Sequence, residues 1–181
     1  VADTADYPSF DAPRLILRGF RDDDLAFLQS FAVRPAFWRY LPGPEMTPDL
    51  IAAYFEARLE AQAMGESGDW HWALESRDLG FILGTARLTI QSREHGHGNV
   101  AVSLDSGHWG LGLGREAMGA LAHFALEVLG LHRLSGLVDA ENKPAQRMME
   151  TNGFAREGLL RQNFRLRGVW RDSLLYARLA A

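Results

Sequence analysis

The run His108-Trp109-Gly110-Leu111-Gly112-Leu113-Gly114-Arg115-Glu116-Ala117 carries glycine at three alternate positions and leads into helix-forming residues. Glycine suits backbone that must turn sharply or approach a ligand closely. A helix start offers unpaired N–H groups and the positive end of the peptide dipole. Together they make a cradle for a phosphate group, with Trp109, Gly110, Leu111, Gly112, Leu113, Gly114 and Arg115 as its candidate residues. A bulky side chain at Gly112 or Gly114 would push the phosphate away. Arg115 and, further on, Arg147 are the candidate charges for it. A surface ion pair is the alternative role for each.

Which phosphate ligand is meant depends on the surroundings. Gly112-x-Gly114-x-x-Ala117 satisfies a dinucleotide-binding fingerprint by letter, and Asp139 sits about where a ribose-binding acid would. Against that reading, Asp105 to His108 put a loop where the fingerprint wants a tight turn. The unit also lies past mid-chain, and the strands before it read as an antiparallel meander. A kinase-type phosphate loop fails because no Gly-Lys-Ser/Thr follows. A glycine-rich helix start with no ligand stays open.

The elements that must position this run follow from its flanks. Residues 1–13 read as an irregular arm and Arg14–Arg18 as a strand. Asp22, Asp23 and Asp24 favour a helix start before Leu25, Phe27, Leu28 and Phe31. Pro35, Pro42 and Pro44 mark a loop, and Thr47-Pro48 is an N-cap with proline at the first helical position, opening a helix to about Met64. Strands are expected at Trp70–Glu75, Phe81–Ile90 and Asn99–Leu104, with turns at Asp78-Leu79-Gly80 and Gly96-His97-Gly98. After the glycine run, Ala117, Met118, Leu121, Ala125 and Val128 fall on one helical face, closed by Gly130. A strand at His132–Val138, a short helix from Asn142 to Asn152, and strands at Phe154–Leu166 and Val169–Leu179 complete the chain. The order is that of an α/β (α+β) mixed, mostly antiparallel sheet of about seven strands flanked by helices.

Bulk properties bound the rest. The 181 residues fit a single domain spanning 1–181, with 47% hydrophobic and 23% charged residues. No apolar run reaches the ~18 residues of a membrane span, and Val1 to Asp11 lack the apolar stretch of a signal peptide. Cysteine is absent, so thiolate catalysis is excluded and a cytoplasmic location is the default expectation. The net charge of −4 argues against direct nucleic-acid binding. Lys143 is the only lysine, and arginine does not serve as a general base.

A second segment narrows the ligand: Asn142-Lys143-Pro144-Ala145-Gln146-Arg147-Met148-Met149-Glu150-Thr151-Asn152-Gly153-Phe154. With Trp109-Gly110-Leu111-Gly112 and Gly114 before it, Arg14–Arg18 at the start and Gly168–Tyr176 at the end, the chain resembles the GNAT N-acetyltransferases over nearly its whole length. The likeness is greatest to the branch that includes the ribosomal-protein N-terminal (alanine) acetyltransferases. That resemblance implies transfer of acetyl from acetyl-CoA to a primary amine by direct attack in a ternary complex. It implies a splay between the fourth and fifth strands that admits the pantetheine arm, with backbone of Val102, Ser103 and Leu104 along its edge. An N–H near Val102 or Ser103 would stabilise the oxyanion. Asn142 would hydrogen-bond the pantetheine or an ordered water, and helix capping is its other role. Two positions depart from the branch. Ala145 stands where serine, proposed to protonate the leaving thiolate, is frequent, and Ala101 where glycine is frequent.

The attacking amine must be neutral. A chain α-amine has a pKa of ~8 against ~10.4 for lysine, so a site with a weak base suits N-termini better. Glu141, Asp105 and His108 are the candidate bases, each with a plain structural alternative, and Tyr176 is a candidate proton donor. His95-x-His97 lacks a third ligand, so no metal site is expected. Trp38, Tyr40, Trp70 and Trp72 read mostly as core, with Phe37–Leu41 as a candidate acceptor wall. The arginines at 156, 161, 165, 167 and 171 read as a solvated face or a lure for an acidic partner. The expected partners are CoA and an amine acceptor, either a peptide N-terminus or a small amine, with no membrane. Only family analogy bears on oligomeric state, and it allows a homodimer. The alternatives are a degenerate CoA-binding protein, a polyamine or aminoglycoside acetyltransferase, and a nucleotide-binding oxidoreductase.

Overall fold

The computed structural model describes residues 7–43, 46–65 and 68–181. Its strands are β1 (Phe10–Asp11), β2 (Leu15–Arg18), β3 (Asp69–Ser76), β4 (Ile82–Ser92), β5 (His97–Leu104), β6 (Arg133–Asp139), β7 (Ala155–Leu166) and β8 (Val169–Leu179). The helices are α1 (Asp24–Ala32), α2 (Pro48–Ala63), α3 (Leu113–His123) and α4 (Lys143–Thr151). The strands form one sheet in the order β1-β2-β3-β4-β5-β6-β8-β7. Every neighbouring pair is antiparallel except β5 and β6, which are parallel and are joined through α3. One such crossover in an otherwise antiparallel sheet is not the doubly wound fold that a dinucleotide site needs.

Alternation along the strands makes two cores. Trp72 and Leu74 of β3, Ala86 and Leu88 of β4 and Val100 of β5 pack against α3 and Met149 of α4. Ala73 and Ile82 face the other way, against Leu28 and Phe31 of α1 and Ile51 and Phe55 of α2. Thr47 caps α2, its hydroxyl accepting from the Leu50 amide at 3.3 Å, as the Thr47-Pro48 pair predicts. The acid at the head of α1 does more than complement the dipole. Asp24 is buried, and its carboxylate takes two guanidinium nitrogens of Arg18 at 2.7 and 2.9 Å and the Arg21 amide at 2.8 Å.

Three differences from the sequence reading have physical causes. The expected irregular arm contains β1, held because Phe10 stacks on Phe124 at 4.5 Å and meets Trp72 edge-on at 5.3 Å. Residues 1–6 of that arm, and Pro44 of the proline loop, lie outside the described residues. β5 begins at His97 rather than Asn99, because Gly96, at φ +60°, makes the turn one residue earlier. The buried face of α3 does not extend to Val128: the helix widens into a π turn over Phe124–Val128, with the Leu129 amide on the Phe124 carbonyl at 3.0 Å. The extra residue in that turn swings Val128 out to 65% exposure while Ala125 stays buried.

Candidate active site

The β5–β6 ladder runs only from His97–Arg133 to Asn99–Ser135. Beyond it the strands part, although β5 continues to Leu104 and β6 to Asp139. Strand residues bond alternately to the two sides. The stretch from Val100 to Leu104 bonds β4 on one side and leaves the polar groups of its other edge unpaired by β6. The side chains of Val102 and Leu104 pack against the α3/α4 core, so what those residues offer the gap is backbone.

The glycine run stands at the far end of this opening. Asp105 starts it, buried, accepting from the Gly107 amide at 3.2 Å and paired with Arg34 and the His108 ring, each at 3.1 Å. The Trp109 indole N–H donates to the Leu104 carbonyl at 2.9 Å and ties the loop to the end of β5. Gly110 and Gly112 adopt φ of +78° and +80°, the left-handed region that glycine alone enters freely. Gly112 is the N-cap of α3, and the first intrahelical bond runs from the Glu116 amide to the Gly112 carbonyl at 3.2 Å. The amides of Leu113, Gly114 and Arg115 precede that bond, which leaves them for an anion. A Cβ on Gly114 would sit 3.2 Å from Met148 Sδ and 3.4 Å from Leu104 Cδ1, so glycine there lets α3 close onto β5 and α4.

Helix α4 forms the opposite lip. Asn142 caps it, its Oδ1 accepting from the Ala145 amide at 3.2 Å. Among the described residues the Asn142 Nδ2 has no partner, so capping leaves the amide free to donate. Arg115 and Arg147 are exposed and neither makes an ion pair among the described residues. At α4's other end, Asn152 Nδ2 donates to the carbonyls of Arg115, at 3.2 Å, and Met148, at 2.9 Å, locking the two helices together.

On the other face of the sheet lies a cleft of about 330 Å³. Its walls are apolar, with Phe37, Trp38 and Leu41 as the wall that the sequence suggested. The floor is the sheet itself: Ala101 and Ser103 of β5, Thr85 and Arg87 of β4, and His71 of β3, with Tyr54 from α2. Ser103 puts its side chain into the cleft but turns its carbonyl to Gly84 of β4, as Asp105 turns its amide to Leu83. By alternation, the backbone facing the gap is that of Val100, Val102 and Leu104. Arg167, from the β7–β8 turn, donates to the Trp38 carbonyl at 2.9 Å and holds the wall from across the molecule.

Below the cleft is a polar relay that the sequence did not signal. His71 Nε2 meets Asp69 Oδ2 at 3.3 Å, and Nδ1 meets the Tyr54 hydroxyl at 3.0 Å. With Nε2–H donating to the carboxylate, Nδ1 is the acceptor for the Tyr54 proton. Burial, reinforced by the nearby charges of Arg58 and Arg87, outweighs Asp69 and pushes the His71 pKa down to about 4, so the ring is neutral. The Tyr7 hydroxyl accepts from the His71 amide at 2.7 Å, and burial raises its pKa to about 12.

Two sequence candidates stand apart from this cluster. Glu141 pairs with Arg171 at 2.6 Å, beside the bidentate Arg171–Asp139 contact that occupies the acid singled out as a ribose ligand. Tyr176 is buried in the α3/α4 core, where its hydroxyl donates to Glu150 at 2.9 Å; burial and the Glu150 carboxylate raise its pKa. His95 and His97 lie 5.7 Å apart, and no group of three or more His, Cys, Asp or Glu suited to a metal occurs among the described residues.

This geometry has known counterparts. The uncharacterized N-acetyltransferase YoaA of Bacillus subtilis (strain 168) is 25% identical over 171 residues, covering 94% of this chain and 96% of its own. The solved ribosomal L7/L12 α-N-protein acetyltransferase RimL, in complex with coenzyme A, superposes with a TM-score of 0.83 at 16% identity, over 96% of this chain and 98% of that one. Spermidine N-acetyltransferase from Vibrio cholerae, in complex with CoA and spermine, does so with a TM-score of 0.78 at 20% identity, over 92% and 95%. At those identities the two structures share the fold. Residues 14–155 match the family model of the acetyltransferase (GNAT) domain, most of the chain from β2 to the start of β7, and the chain belongs to the GNAT acetyltransferase family.

Proposed function

We propose that this chain transfers acetyl from acetyl-CoA to a primary α-amine, of which a protein or peptide N-terminus is the leading candidate. The observation that carries the reading is the parting of β5 from β6 beyond Asn99 and Ser135, with the α3 cradle at its end and the cleft beneath Ser103. The residues present fit CoA. The amides of Leu113, Gly114 and Arg115 suit a pyrophosphate, and Arg115 and Arg147 carry unpaired charge for it. The edge of β5 suits an extended amide-bearing arm, which would add as a strand does.

Acetyl-CoA supplies the thioester. The amine nitrogen, held in the cleft, attacks the thioester carbonyl carbon; the C–N bond forms and the C–S bond breaks with its electron pair leaving on the CoA sulfur. The proton lost by nitrogen passes through water to that thiolate, so CoA departs as the free thiol. Backbone N–H at Val102 is the candidate for the oxyanion; that of Ser103, which the sequence offered equally, lies on the β4 side of the strand with the Ser103 carbonyl. The cleft holds no carboxylate among its described lining residues, and its one imidazole is neutral and already hydrogen-bonded. Such a site suits an amine that is partly neutral on its own. At pH 7 roughly a tenth of α-amines are free, against about one lysine in a few thousand. A polyamine, carrying several positive charges, finds no counter-charge in that lining.

The test is calorimetric titration with CoA, followed by a free-thiol assay across peptides, amino acids, polyamines and aminoglycosides. The expected result is CoA binding and transfer to α-amines in preference to polyamines. No CoA binding at millimolar ligand overturns the reading. A second reading, CoA binding without transfer, is favoured by Ala145 in place of a hydroxyl and by the engagement of Glu141 and Tyr176 elsewhere. Binding with no thiol release from any amine would select it.

A further inference from the structure

Arg87 stands in the middle of the cleft floor, and its surroundings are unusual for an arginine. On the sheet face beneath the cleft, His71 lies opposite Arg87 and Arg87 opposite Ala101. The next row is Ala73, Thr85 and Ser103. The two rows are separated by two residues of strand, ~6.6 Å, a distance an arginine side chain spans. Arg87 is exposed to the cleft, and it makes no hydrogen bond or ion pair among the described residues. Asp69, the nearby carboxylate, is taken up by Thr89 Oγ1 at 2.6 Å, by His71 and by Arg58 at 3.4 Å. The walls around Arg87 are hydrocarbon: Phe37, Trp38, Leu41, Met46 and Ile51. A cation with no direct partner, beside apolar walls, attracts an anion more strongly than it would in open water. It repels a polycation by the same physics.

We infer that Arg87 determines acceptor specificity by binding a carboxylate on the amine substrate, whose apolar body fills the cleft while its nitrogen reaches the Ser103 row. This deepens the acetyl-transfer reading and rests on it. The carboxylate comes either from a free amino acid with a large apolar side chain or from an acidic residue near a peptide N-terminus. Both present the same group to a guanidinium, which takes it through two parallel N–H donors.

The test separates this inference from the reading beneath it by measuring binding rather than turnover. N-acetylphenylalanine and its amide differ only in the carboxylate, and neither has an amine to titrate. Calorimetry on the CoA-saturated protein should show the acid binding about tenfold or more tighter than the amide. Arg87→Gln should erase that difference, and Arg87→Lys should keep part of it. Ala-Asp and Ala-Asn peptides, acetylated at the N-terminus and amidated at the C-terminus so that only the side-chain carboxylate differs, form the second arm, and whichever arm shows the larger acid preference names the source of the carboxylate. CoA affinity, measured alongside, should be the same in all variants, and its loss in Arg87→Gln would count against a role confined to the acceptor. Equal binding of acid and amide by the native protein, no binding of either, or a preference that survives Arg87→Gln overturns the inference. Failure of CoA to bind, or of any amine to be acetylated, strikes the acetyl-transfer reading instead.

Discussion

Arg14 holds the Glu116 carboxylate from both sides: its Nε and Nη2 lie 2.8 and 2.6 Å from Oε1, and its own backbone amide lies 3.1 Å from Oε2. The same Nη2 donates to the Leu111 carbonyl at 2.7 Å. A residue at the mouth of β2 thereby braces both the glycine loop and the first turn of α3, across 102 positions of sequence. Burial raises the Glu116 pKa, but the two kinds of hydrogen bond from Arg14 outweigh it, and the net direction is down from the ordinary 4.5. The carboxylate is therefore ionised, and the brace intact, at any pH near neutrality.

Arg14→Ala should leave the fold nearly as stable, because Arg14 is 45% exposed and exposed ion pairs contribute roughly 0–1 kcal/mol. It should nonetheless weaken CoA binding, by a few-fold to about tenfold, because the cradle is then no longer pre-organised. Calorimetry on the variant, with a thermal melt beside it, reads the two effects separately. An unchanged CoA affinity would remove the brace from the account of binding.

Gly112→Ala isolates the backbone requirement of the cradle. At φ +80° an L side chain is strained by about 1–2 kcal/mol, although the space around it is nearly open, with only Arg14 Nη2 at 3.5 Å. The expected outcome is a modest loss of stability with a larger loss of CoA affinity. Gly112→Trp should abolish CoA binding while the protein still melts cooperatively, since Gly112 is exposed. CoA affinity that survives both changes would put the pyrophosphate elsewhere.

These two residues also mark how far the sequence could be read. The cradle was legible because its information is local: alternating glycines, then a helix, then an asparagine-capped helix closed by Gly153 at φ +78°. The brace was not, because nothing in Arg14-Leu15-Ile16 says that a strand's first arginine will meet a helix 102 positions later. Arg87 lies between these cases. Its alternation with Ala86 and Leu88 places it on the opposite face of β4 from the α3 core. That this face becomes a cleft floor depends on how α1, α2 and the Phe37–Leu41 wall cover it, which is tertiary. The π turn at Phe124–Val128 escaped for a related reason: one added residue leaves the apolar spacing looking helical.

His71 makes stability depend on pH in a defined window. Its folded pKa is about 4 and its ordinary value 6.5. Between those values the unfolded chain binds more protons than the folded one, so stability is highest above about 6.5 and falls as pH drops toward 4. The gap between the two values is worth at most about 3 kcal/mol. Urea unfolding at pH 7 and pH 5 should show the part of this loss that falls above pH 5, at most about 2 kcal/mol, in the native protein. His71→Gln, which can still donate to Asp69 and accept from Tyr54, should flatten it. Parallel pH curves for the two proteins would mean that His71 titrates normally.

Gly84→Ala tests whether the shape of β5 serves the site. A Cβ at Gly84 would stand 2.1 Å from the Ser103 carbonyl oxygen, a backbone atom that moves only if the strand moves. Overpacking of this kind costs about 1–3 kcal/mol. Here it would also displace Ser103, which lies on the cleft floor and is the strand neighbour of Val102 at the parted edge. Gly158→Ala is the control: nothing lies within 4 Å of a Cβ there, and its φ is not in the left-handed region. If the position of Ser103 governs transfer, Gly84→Ala should lower kcat well beyond any loss of folded protein, with Gly158→Ala unaffected in both. A variant that loses stability but keeps its kcat per folded molecule would show that Gly84 only accommodates the strand, and that the oxyanion contact tolerates the shift.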